Sequence, residues 1–156
     1  MKLIAVSSGD AVMVDDDDYE WLSSIKWKAD SDGYALRREK TCDGIRFISM
    51  HRILMGLTYG DKSYVDHIDG NIRNNQKANL RICNQYQNQW NRGICSNNTS
   101  GYKGVSKWKG RDTWRATIRL NGKVVHLGTF KTAEEAHDAY RKAALACHGE
   151  YFFRET

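Results

Sequence analysis

Asp66 and His67 stand side by side, Asn79 follows twelve residues after the histidine, and Asn88 comes nine residues later. These side chains suit a definite chemistry. Imidazole has an unperturbed pKa close to neutral pH, so it exchanges protons readily under physiological conditions. Carboxylate and amide oxygens are hard donors of the kind that divalent cations take. The surrounding stretch "VDHIDGNIRNNQKANLR" (Val65–Arg81) is crowded with asparagines and holds little that a hydrophobic core would want. A plainer reading makes His67 a turn histidine and the asparagines loop residues in left-handed conformations. Asp69 precedes a glycine, where an aspartate commonly shapes a turn, and is not counted as a metal donor. A zinc site built from His51, His67 and the cysteines lacks any ligand spacing.

Elements must bring these residues together. Val65 and Ile68 flank the Asp-His pair as at a strand end, "NLRI" suits a second strand, and "NQYQNQW" suits a short helix. A strand, a polar loop, a strand and a helix are expected to gather Asp66, His67 and Asn88 in one place. Asn79 is expected to hold the loop through amide bonds to the backbone. Upstream, "KLIAV" and "AVMV" read as strands around a Ser-Gly-Asp turn. Asp15–Asp18 are expected to cap and charge a helix start rather than bind metal. "YALRR" and "IRFISM" read as a further strand pair, leading into a short helix with Ile53, Leu54 and Leu57 on one side.

The passage "MHRILMGLTYGDKSYVDHIDGNIRNNQKANLRICNQYQNQWNR" resembles the HNH (ββα-metal) nucleases over their whole motif, with "DHIDGN…NN…NL" as its most specific part. Asparagine at the final position, Asn88, resembles the homing-endonuclease branch. The resemblance implies that Asp66 and the Asn88 amide oxygen hold Mg²⁺ (or Mn²⁺) with water completing the shell. It implies that His67 is the general base and that Asn79 belongs to the catalytic motif. Such an ion relieves charge on the pentavalent phosphate and helps the 3′ oxygen leave. The partner fixing the His67 tautomer is open between Asn79 and a backbone carbonyl.

Charge points to a second element. Residues 1–92 carry 13 basic and 13 acidic side chains, whereas residues 93–156 carry 11 and 6 and so account for the whole net charge of +5. Such a basic block is the footprint of a polyanion binder, the alternative being a solubilising surface. "WRATIRL" and "KVVHLGTF" alternate with period two around Asn121-Gly122, a strong hairpin signal. The expected register pairs Leu120 with Lys123, Ile118 with Val125 and Ala116 with Leu127 on a core face. The opposite face then presents Arg115, Thr117, Arg119, Val124 and His126, widened by Lys103, Lys107, Trp108 and Lys109. Thr132 and Glu135 form a capping box ahead of a helix whose stripe is Ala136, Tyr140, Ala143, Ala144 and Cys147, ended by Gly149. The run from "YKGV" through "HLGTF" to "TAEEAHDAYRKAA" resembles the ethylene-response-factor (AP-two) type DNA-binding domain, three strands packed on one helix. That resemblance implies a sheet docking in the major groove of duplex DNA. The reading face departs from the family at Lys103, Ser106, Thr117, Val124 and His126 while retaining Arg119, so no base preference carries over.

The expected fold is α+β: an HNH module at 1–92 with its core motif at about 50–92, a linker at 93–100 ("GICSNNTS"), and a three-stranded antiparallel sheet on one helix at 101–156. No apolar run is long enough for a membrane span, and no leader pattern is present. The four separated cysteines suit a reducing cytoplasm, that of a bacterium or a phage-infected host cell. The expected activity is metal-dependent cleavage of double-stranded DNA by a homing or mobile-element enzyme, leaving 5′-phosphate and 3′-hydroxyl ends, as a monomer or weak dimer. Two rivals stand beside it: a non-catalytic DNA-binding regulator on a degenerate nuclease module, and a nuclease acting on RNA.

Overall fold

The computed structural model describes residues 1–7 and 9–152; Ser8 of the expected Ser-Gly-Asp turn and the last four residues lie outside them. The chain is mixed α+β, with several small antiparallel sheets and four helices among the described residues. It divides into two compact units, 1–85 and 86–156.

The first unit opens with a ribbon of β1 (Lys2–Ala5) and β2 (Ala11–Val14). Helix α1 (Asp16–Ser23) follows, then a sheet of β3 (Lys28–Ala29), β4 (Ala35–Thr41) and β5 (Gly44–Ser49). Helix α2 (Met50–Leu54) leads to the pair β6 (Tyr64–His67) and β7 (Leu80–Cys83). One apolar core joins these parts: Val12, Val14, Leu22, Trp27, Met50 and Leu80 are all buried in it. Ile53 and Leu57 pack against that core beside Leu54, although Leu57 lies in the turn after the helix.

The acidic run does start α1, with Asp15 at the N-cap, but the Asp15 side chain makes no capping bond. It reaches instead to the far side of the sequence, where it accepts from the Lys77 amide (2.8 Å) and the Gln76 side chain (3.1 Å). Buried Asp18 accepts from Lys77 Nζ at 2.8 Å. The aspartates therefore clamp the segment that enters β7, a partnership beyond the reach of any local pattern.

The second unit holds α3 (Gln85–Asn91, whose first residue ends the first unit), the sheet β8 (Val105–Lys107), β9 (Trp114–Leu120) and β10 (Lys123–Phe130), and helix α4 (Ala133–His148). The Asn121-Gly122 turn has φ of 48° and 81°, the double left-handed conformation that a two-residue hairpin requires. The register holds at Leu120–Lys123 and Ile118–Val125, then shifts: Ala116 pairs with Gly128, and Leu127 is the extra residue of a β-bulge. Gly128, at φ 150°, supplies a backbone that a side chain would resist. The bulge turns Leu127 and Phe130 onto α4; Val125 shares the face of its buried partner Ile118, as expected, but is exposed because its strand is the sheet edge.

The capping box forms as expected: Thr132 Oγ1 accepts from the Glu135 amide, and Glu135 returns a bond to the Thr132 amide. Ala136, Tyr140 and Ala144 are buried as the stripe implied, but Cys147 is exposed and His137 and His148 are buried instead. A 3.6-residue period through 133, 137, 140, 144 and 148 puts position 147 at the shoulder of the helix. The small alanines let α4 lie close to the sheet. Gly104 sits in that contact, where an added Cβ would lie 2.2 Å from the Tyr140 ring.

Candidate functional site: the Asp66-His67 loop and the basic sheet

Strand β6 ends on the two residues of interest, both buried: Asp66 is 7% exposed and His67 4%. Pairing with β7 sets Asp66 opposite Arg81, whose Nε and Nη2 donate to the same carboxylate oxygen at 2.9 and 2.7 Å. Sequence reasoning passed over Arg81. Its signal was positional, since a basic residue directly across an antiparallel pair meets the acidic one.

The loop after His67 shows what the asparagines do. The Asp69 carboxylate accepts from the Asn71 amide (2.8 Å), Asn74 Nδ2 (2.8 Å) and Asn79 Nδ2 (2.9 Å). Asn79 Oδ1 takes the Asp69 amide at 3.1 Å, and its Nδ2 also donates to the Asn74 carbonyl at 2.9 Å. Burial pushes the Asp69 carboxyl up, but the bonds from Asn74, Asn71 and Asn79 outweigh it and hold the group below the usual carboxylate range. Asn79 thus holds the loop, as its position suggested. Asp69 is the hub of that loop.

The group facing the His67 ring is Asn75, whose Oδ1 lies 3.3 Å from Nε2. Asn75 Nδ2 points to the Ile72 carbonyl at 3.4 Å. A carbonyl only accepts, so the amide nitrogen must face Ile72 and the amide oxygen must face His67. Nε2 therefore carries the proton, and Nδ1 is the basic nitrogen of the neutral ring. Asn75 is thus a partner of the ring that local spacing did not single out. Asn75 is 2% exposed, and its own amide donates to the Met13 carbonyl at 2.8 Å, which ties the loop to β2. Arg73 reinforces that tie: its carbonyl accepts from the Met13 amide at 2.7 Å, and its guanidinium meets Asp10 at 2.8 Å. The N-terminal ribbon is a brace for the loop.

Two further rings line His67. His51 meets it edge-on with centroids 5.2 Å apart, and Tyr34 lies 6.1 Å away. Burial, then the charge of His67, pushes His51 down to about 3. Burial also lowers His67, against the bond from Asn75 and the charges of Asp69 and Asp66. Both imidazoles are neutral at physiological pH, which suits His67 to accept a proton.

Asn88 lies half-buried on α3. A carboxylate and an amide oxygen are donors that suit Mg²⁺ with water completing its shell, and a cation on Asp66 would share that carboxylate with Arg81. No group of three His, Cys, Asp or Glu side chains is arranged for a metal among the described residues.

In the second unit, Arg119, His126 and Lys109 are exposed, while Thr117 is half-buried with its amide donating to the Gly104 carbonyl at 2.8 Å. Trp108 is the centre of a cationic stack: Arg115 lies 4.3 Å and Arg111 5.3 Å from its ring, with the His126 ring edge-on at 6.4 Å. Lys107 pairs with Asp112 at 3.1 Å. Lys103 is not part of an open face: its ammonium donates to the carbonyls of Trp90, at 2.6 Å, and Arg92, which cap the end of α3.

No known family profile matches the chain. Individual proteins do. Over 153 residues, 96% of this chain and 76% of the relative, it is 29% identical to a mimivirus protein named uncharacterized HNH endonuclease L560 (Acanthamoeba polyphaga mimivirus). A second mimivirus protein, named uncharacterized HNH endonuclease L245, is 41% identical over 68 residues, 20% of its own length. These similarities support an HNH-type nuclease. More narrowly, the chain belongs to the family of protein 3.8 of Escherichia phage T7, with 47% identity over 88 residues that cover 56% of this chain and 72% of the phage protein.

Proposed function

We propose that this protein is a metal-dependent DNA endonuclease of the homing or mobile-element type, in which His67 activates the attacking water and the second unit grips duplex DNA. The observation that carries this reading is the setting of His67: a buried imidazole beside Asp66, with the Asn75 amide oxygen 3.3 Å from Nε2 to hold the ring in place. In the proposed reaction Nδ1 takes a proton from water as the oxygen attacks phosphorus, and the Asn75 acceptor steadies the imidazolium that forms. Asp66 and Asn88 would hold Mg²⁺ (or Mn²⁺), which when bound relieves charge on the phosphate and on the departing 3′ oxygen. Asn79 acts on the loop rather than on the reacting atoms. The products are 5′-phosphate and 3′-hydroxyl ends.

The second unit is read as an AP-two-like sheet, with Arg115, Arg119, Trp108, Lys109 and His126 toward DNA. Lys103 is assigned to the α3 cap. One observation favours a rival: Asp66 already has a cationic partner in Arg81, as a non-catalytic DNA-binding regulator would tolerate.

Supercoiled plasmid with the full chain and Mg²⁺ decides between them, nicked and linear products being measured separately. Nicking that stops with EDTA and with His67→Ala, while duplex binding survives, supports the nuclease. A parent protein that binds but never cuts overturns it, and cleavage confined to RNA moves the substrate.

A further inference from the structure

The sheet β3–β4–β5 has two unlike faces. Register puts Arg37, Glu39, Arg46 and Ile48 on one side. That side is self-neutralised and packed: Arg37 pairs with Glu39 at 3.0 Å, Arg46 pairs with Asp43 at 2.9 Å, and Ile48 is buried. On the other side Arg38 stands directly opposite Phe47, Lys40 opposite Ile45, and Lys28 beside Leu36. Lys28, Arg38 and Lys40 are all exposed, and Phe47 and Ile45 are 55% and 52% exposed. None of the three cations is in an ion pair among the described residues, and no carboxylate of these strands shares their face.

We infer that this outer face is a second DNA-contacting surface, in which Lys28, Arg38 and Lys40 meet phosphates and Ile45 and Phe47 press against the groove wall. The inference rests on the reading that DNA is the substrate. Charge complementarity selects the partner. A second copy of the same face would set three cations against three, whereas a polyanion neutralises them. Cations at alternate positions of β4 stand about 7 Å apart, from a rise of about 3.4 Å per residue. A row of that kind tracks a phosphate backbone. Exposed apolar side chains amid cations match the wedges that groove binders lay between or against bases.

The test is binding of a fluorescent duplex by the full chain in EDTA, titrated from 50 to 200 mM KCl. Each phosphate contact adds about 0.9 to the slope of log affinity against log salt. The triple variant Lys28→Gln/Arg38→Gln/Lys40→Gln is expected to flatten that slope by about 2.7, so parent and variant diverge by about 40-fold across the range. Phe47→Ser is expected to lower affinity at every salt without altering the slope. All these side chains are exposed, and far-UV circular dichroism checks the fold. A triple variant with the parental slope overturns the inference, as does one that loses heparin binding alone. A parent that binds no duplex even at 50 mM KCl overturns the DNA reading itself, a different failure from loss of this face.

Discussion

Replacing Asn75 by leucine keeps nearly the volume of a side chain that is 2% exposed and removes the acceptor facing His67. With little cavity term, the cost is that of a buried Nε2–H left without its partner, about 1–3 kcal/mol. The two bonds lost are long, 3.3 and 3.4 Å, so the lower half of that range applies, about 1–2 kcal/mol. If that energy also orients the base, cleavage slows by about 5- to 30-fold with KM little changed. Three readouts are needed. Urea unfolding followed through the His67 ring signals reports the first unit, and long-range proton–nitrogen correlation reports the tautomer. Single-turnover nicking reports the base. The parent is expected to show the proton on Nε2, and Asn75→Leu a mixture of tautomers, lower stability and slower nicking. A variant that keeps both the Nε2 tautomer and the parental rate refutes the argument that the amide holds the imidazole.

Acid should loosen the first unit through its histidines. His51 is held at about 3 in the folded chain against about 6.5 unfolded, so the unfolded chain binds more protons between those values. Stability is full above pH 6.5 and falls by about 1.4 kcal/mol per pH unit for His51 alone as pH drops toward 3; urea midpoints of parent and His51→Phe across that window check this, since the variant should lose the extra slope. Arg119→Ala should weaken duplex binding by roughly 1–3 kcal/mol and relax preference at one position if this exposed arginine reads a base, and competition among single-base variants of a bound site measures both. Gly104→Ala should cost about 3 kcal/mol or more, because the residue has φ 73° and the new methyl would meet Tyr140 and the Thr117 carbonyl; thermal unfolding of the second unit reads it directly.

Local chemistry made much of this protein legible in its residues. Asn121-Gly122 announced its hairpin, Thr132 and Glu135 their capping box, and the order strand, loop, strand, helix around Asp66 and His67 followed from apolar periodicity. Each is set by interactions within a few residues, so the chain alone decides it. The bulge at Leu127 escaped because Gly128 signals conformational freedom without saying how it is used. Cys147 and His148 exchanged places because alanine-rich helices offer several stripes of similar hydrophobicity, and packing selects one.

What tertiary structure alone decided is the set of partners drawn from far along the chain. Asp15 bonds to Lys77, Asn75 to Met13, and His51 and Tyr34 close around His67. Nothing in a run of asparagines says which one meets the imidazole, since all four in the loop carry the same amide. Only the Ile72 carbonyl, fixed in space by the folded loop, sets the amide's direction and with it the nitrogen that bears the proton.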